Sequence, residues 1–187
     1  TGKGESAKTI VEVECTKNTY IKLVRTGANE FKAYRTEVQD GNLGTWEEIK
    51  KSTVSIGMNN KVYYGFSPLN KEMRINNVTF EVGKDAITYD TFDNEVTTTL
   101  LDNTTADFVS IKDGKLTITN SKKQQLHYLL TNSMDNDWTF KAKVDYKAEE
   151  GQYAGVVCQQ DENNYIVAGR TLVKGKPTLF LGKASNG

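Results

Sequence analysis

The sequence is short of the residues that most catalytic and metal chemistry requires. It has one histidine, two cysteines and two prolines in 187 residues. A lone histidine, His127, with cysteines as far apart as Cys15 and Cys158, does not make a zinc-ligand spacing. Two cysteines are also too few for a disulfide scaffold. Each lies in a strand-like run, so two small core residues is the plainer reading and a single disulfide the other. No nucleophile-elbow sequence accompanies His127, so a Ser-His-Asp triad is not indicated. No apolar run approaches the roughly 20 residues that a membrane-crossing helix needs. The first six residues are polar and do not form a signal peptide. Charge of one sign is missing too. Lys+Arg and Asp+Glu are both 24, a formal net charge of zero. That argues against a nucleic-acid footprint, which needs a basic excess, and against a polybasic membrane contact.

What is present is a period of two. Val11, Val13 and Cys15 alternate with Glu12 and Glu14, so one side of that strand is apolar and the other wet. Residues 115–119 repeat the pattern. So does the run that puts Trp138, Phe140, Ala142 and Val144 on one face. Further strands are expected at 20–25, 31–36, 53–57, 62–66, 75–82, 108–111, 126–130, 153–159, 165–171 and 178–181. Turn residues separate them, among them Asp40-Gly41, Asp113-Gly114, Asp161 to Asn164 and Lys174-Gly175. Pro68 and Pro177 fall where strands end. Residues 47–52 allow one helical turn and no long helix is expected. Short strands separated by turns predict an all-β sandwich or barrel. At this length one core suffices, and no Pro/Ser/Gly linker divides the chain, so residues 1–187 are expected to form a single domain.

Two stretches together resemble a known group. The first runs from Tyr20 through Arg25, Gly27, Tyr34 and Arg35 to Asp40-Gly41 and Trp46, then on to Tyr63, Tyr64, Gly65 and the strand ending at Val82. The second runs from Trp138 to Val144 and then from Tyr153, Ala154 and Gly155 through Asp161 to Tyr165. These are similar to the concanavalin A-like, jelly-roll sandwich domains appended to bacterial glycoside hydrolases, including the C-terminal domains of family 43 β-xylosidases. The order departs from that group: residues 1–83 match its later half and 84–187 its earlier half. The chain is either one circularly permuted sandwich of two antiparallel sheets, or halves of two tandem domains. Uncovered sheet faces and unpaired edges weigh against the second.

The resemblance implies a non-catalytic carbohydrate-binding module of a secreted or surface-attached bacterial protein. Its partners would be a polysaccharide or oligosaccharide and a covalently linked catalytic domain, and the module itself is expected to be a monomer. The alternatives are a spacer that packs on the catalytic domain and, less favoured, a divergent sandwich glycanase. The alternating Glu-x-Asp-x-x-Glu run of sandwich glycanases is missing here. Glu12 and Glu14 are the one close carboxylate pair on a strand, and they are expected to face water. Sugar recognition needs rings that stack on pyranose faces, with amides and charges that bond hydroxyls. Candidates are Tyr153, Gln159, Gln160, Tyr165 and Arg170 in the second stretch, and Tyr34, Arg35 and Tyr64 in the first. His127 and Tyr128 are candidates beside them. Each could equally be ordinary β-sheet packing. If Ala154, Val156 and Cys158 face the core, Tyr153, Val157 and Gln159 face the other way, as does Tyr165. No cofactor is required by this reading. The resemblance also raises a structural calcium ion, with Asp90 and Asp93 as ligands.

Overall fold

A computed structural model describes residues 7–16, 19–27, 29–50, 53–58, 61–69, 72–82, 85–90, 109–119, 128–133, 137–146 and 150–185. Among them there is no helix; sixteen strands make two antiparallel sheets. The six-stranded sheet runs β1 (Lys8–Glu14), β16 (Lys176–Ala184), β15 (Asn164–Val173), β14 (Tyr153–Asp161), β7 (Val62–Leu69), β12 (Tyr128–Ser133). The larger sheet runs β10 (Val109–Lys112), β11 (Lys115–Thr119), β8 (Glu72–Val82), β13 (Trp138–Tyr146), β2 (Thr19–Thr26), β3 (Glu30–Gln39), β4 (Asn42–Leu43). Three short strands complete it: β5 (Glu47–Glu48) and β6 (Val54–Ser55) on β3, and β9 (Asp85–Asp90) on β8. The helical turn expected at 47–52 is not formed over its described part, because Glu47 and Glu48 pair with Arg35 and Tyr34.

Both sheets contain strands from both halves of the chain. β14 lies between β15 and β7, and β13 lies between β8 and β2. Strands β1 and β16 are neighbours, with Lys8 opposite Lys183. Several hairpins close as the turn residues predict. Asp40-Gly41 and Asp113-Gly114 both have positive φ at each residue, the two-residue turn whose twist matches that of the strands it joins.

The core forms where the apolar sides of the sheets meet. Ile21, Leu23, Phe31 and Ala33 of the larger sheet join Trp138, Phe140, Ala142 and Val144. Opposite them lie Val62, Tyr64, Phe66, Ala154, Val156, Cys158, Ile166, Ala168, Leu179 and Leu181. Rings lock the two layers: Tyr64 meets Trp138 edge-on at 4.4 Å, and Phe66 meets Phe140 at 5.8 Å. Such aromatic pairs add to the area each ring buries.

The centre of the six-stranded sheet is buried on its other face as well. Val157, Tyr165, Val167, Phe180 and Ala184 form a second cluster, with Tyr153 and Ala7 packed against it. Hence residues 154–158 and 165–170 are buried without interruption. Strands covered on both faces show continuous rather than alternating burial. Both cysteines are free, Cys158 in the core and Cys15 half-buried at its margin.

Candidate functional site

The residues singled out in the sequence are spread over several parts of the sandwich. Three of them meet on the outer face of the six-stranded sheet. Gln159 lies directly between Tyr165 on β15 and Tyr63 on β7, and Tyr153 stands farther along β14. Tyr153 packs edge-on against Phe180 at 5.1 Å, and its hydroxyl accepts a long bond from Ser67, 3.4 Å. Burial pushes that phenol up from its ordinary value, and the Ser67 bond opposes the shift only in part. Tyr165 points outward as the alternation predicts, yet it is only 1% exposed and belongs to the second apolar cluster. A ring so covered cannot present a face to a sugar. Tyr64 is not on this face at all. Val62, Tyr64 and Phe66 fill the interior, which leaves Tyr63 half-exposed outside. The two adjacent tyrosines had to divide between opposite faces, since a shift of one residue along a strand reverses every side chain.

Gln160 lies at the β14–β15 hairpin, where it serves the turn. The Asp161 carboxylate accepts bonds from Gln160 Nε2 at 3.1 Å, Asn163 N at 2.9 Å and Asn164 Nδ2 at 2.9 Å. Burial alone would raise the Asp161 pKa; the Asn164, Asn163 and Gln160 donors outweigh it and hold the carboxyl below its ordinary value of 3.8. A lowered pKa in the fold means that the hairpin gains stability from the charged form. That gain is complete above the ordinary value and is lost as pH falls through the lowered one. Melting temperature followed from neutral pH down to about pH 3 is therefore expected to drop more for the natural protein than for Asp161→Asn, with the gap between them closing in acid.

The two arginines lie at one end of the sandwich, Arg170 buried and Arg35 half-exposed. Arg170 is 5% exposed and donates to the Val144 carbonyl at 3.2 Å. Arg35 donates to the Glu14 carbonyl at 2.8 Å and lies 3.6 Å from the Glu47 carboxylate. Both thus tie strands together across the sandwich end. Burial pushes the thiol of neighbouring Cys15 up, against the pull of the Arg170 charge. Burial does the same to Cys158 more strongly. Neither thiol is poised as a thiolate nucleophile.

Tyr34 is on the opposite side of the molecule, on the outer face of the larger sheet. Lys22 is its direct cross-strand neighbour. The Lys22 ammonium sits 4.3 Å from the Tyr34 ring centre and 4.7 Å from that of Trp46. Both rings are half-exposed, as is Tyr20 two residues along β2. Trp46 reaches this place because the loop after β4 folds back. Gly44 N–H donates to the Glu37 carbonyl at 3.0 Å, which holds the loop against β3. The Asp40-Gly41 and Trp46 pattern predicts a hairpin here but no binding face. The signal that could have found it was the outward period of Tyr20, Lys22, Lys32 and Tyr34, which leaves a wet face for a loop tryptophan to cover.

His127 and Asp93 lie outside the described residues. Tyr128 and Asp90 are placed only by strand register, opposite Phe66 and Val78. Among the described residues, no group of three or more His, Cys, Asp and Glu side chains is arranged to hold a metal ion. Comparison with protein-family models gives no match, and comparison with curated proteins gives none.

Proposed function

We propose that the chain is a non-catalytic carbohydrate-binding module, a concanavalin A-like jelly roll with its halves in permuted order, that holds a glycan on the outer face of the larger sheet. One observation carries this reading: two half-exposed rings, Tyr34 and Trp46, flank the Lys22 ammonium on the outer face of the larger sheet. Rings of this kind stack on the apolar faces of sugars, while Lys22 and the hydroxyl of Tyr20 supply bonds to hydroxyl groups. The presence of strands from both chain halves in each sheet supports one permuted sandwich over two half-domains. So does the pairing of β1 with β16, which lets a chain of the other order build the same sheets.

A shallow platform of two rings implies weak binding, on the order of micromolar to millimolar. Its use would lie in keeping a linked hydrolase domain near a polymer outside the cell, where tethering raises the effective concentration. Affinity electrophoresis on a panel of plant and bacterial polysaccharides tests the proposal. Trp46→Ala is expected to weaken binding by about tenfold or more, as loss of an aromatic anchor does. Its melting temperature should stay within about 3 °C of the natural protein, because a half-exposed ring adds little to the core. If the natural protein is retarded by none of the polymers, the module reading fails, and a spacer that packs on its catalytic domain takes its place.

A further inference from the structure

The cations around the Tyr34–Trp46 platform point to the class of sugar. Lys141 on β13 lies directly opposite Lys22, and Lys143 lies opposite Tyr20. Lys32, two residues from Tyr34 on β3, is diagonal to Lys22 and 3.7 Å from Glu30. All four lysines are half-exposed, on three adjacent strands. Glu48, exposed, lies opposite Tyr34, and Glu47, also exposed, follows Trp46 in the chain. Like charges placed directly opposite on paired strands work against the sheet.

We infer that the platform selects polysaccharides rich in uronic acids, whose carboxylates meet Lys22, Lys141 and Lys143 while their rings stack on Tyr34 and Trp46. This rests on the module reading above. The geometry suits that chemistry. A uronic acid carries its carboxylate at the edge of the pyranose ring. The Lys22 ammonium already lies over one face of each aromatic ring, so a pyranose uses a ring's other face, with its edge carboxylate turned toward the surrounding lysines. Lys141 repeats the charge one strand away, about 4.8 Å across the sheet, and Lys143 repeats it two residues farther along. A chain of acidic sugars offers its charges at regular intervals, so several can be met at once.

The test uses the intact chain with polygalacturonate, alginate, fully methyl-esterified polygalacturonate, neutral xylan and sulfated dextran, read by affinity electrophoresis and titration calorimetry. Esterification removes the charge and keeps the sugar backbone. Binding to at least one of the two uronans is expected. For polygalacturonate the esterified form should bind about tenfold more weakly. Raising salt from about 0.1 M to about 1 M, which shortens the screening length from about 10 Å to about 3 Å, should weaken binding to similar extent. The double variant Lys141→Gln, Lys143→Gln should lose about fivefold on the uronan and nothing on any neutral polymer, as exposed charges of modest individual strength predict. Trp46→Ala should weaken every polymer that binds. Equal binding of esterified and free polygalacturonate, or a preference for xylan over both uronans, overturns this inference and leaves the module reading standing. Sulfated dextran bound as tightly as the uronans overturns it as well, since the face would then be a general polyanion surface. Retention by none of the five polymers overturns both.

Discussion

Gly155→Ala is expected to destabilise the sandwich by about 3 kcal/mol or more, or to prevent folding outright. A Cβ at this position would overlap the carbonyl oxygen of Ala168 and sit 2.5 Å from the Cα of Gly169. Both obstacles are backbone, on the strand that pairs with Gly155, so no side chain can turn aside to make room. Strands β14 and β15 would have to separate at the centre of the six-stranded sheet, where both faces are buried. Loss of register there would uncover the inter-sheet core and the second cluster together. Chemical denaturation gives the result directly. Gly41→Ala is the control: nothing lies within 4 Å of a Cβ there, and only its positive φ is penalised, by about 1 kcal/mol. If the two variants prove equally stable, the close approach of β14 and β15 is not as described.

Trp138→Ala is expected to cost about 4 kcal/mol, the usual scale for deleting a large buried ring and leaving its cavity. Trp138 is 2% exposed and packs edge-on against both Tyr64 and Phe31, at 4.4 and 6.0 Å. It therefore joins the two sheets as well as filling space. For a chain of this length the melting temperature should fall by about 10 °C. A domain of ordinary stability, about 5–15 kcal/mol, would survive with little to spare. The paired experiment is Trp46→Ala. One tryptophan should cost stability and leave glycan affinity unchanged wherever the variant remains folded. The other should cost affinity and leave stability unchanged. If Trp138→Ala melted within about 3 °C of the natural protein, its place between the layers would be in question.

These two residues show how differently single positions could be read beforehand. Trp138 was legible because its neighbours Phe140, Ala142 and Val144 repeat at every second position, which marks one face as the buried one. Trp46 has no such neighbours. Its position follows from a loop folding back across β3, and no local pattern encodes that. Tyr34 was legible as outward-facing for the same reason that Trp138 was legible as inward. That Tyr34 and Tyr165 would end on opposite sides of the molecule was not legible, because outward on one sheet and outward on the other look alike in a periodic pattern. The buried state of Tyr165 and Phe180 was hidden too. Alternation distinguishes two faces, but when both are covered the distinction no longer predicts exposure.

The sequence by itself determined that the chain is all β, where most strands and their two-residue turns fall, and which side of each strand is apolar. Those properties depend on near neighbours: side-chain period, turn conformation, and the scarcity of helix-like spacing. Only the tertiary structure decided which strands pair, that β14 and β15 are enclosed on both faces, and that the open aromatic platform combines a strand tyrosine with a loop tryptophan around Lys22. Pairing joins residues far apart along the chain, such as Lys22 with Lys141 and Gln159 with Tyr63. Its outcome rests on how two whole sheets exclude water between them, which no short window of sequence contains.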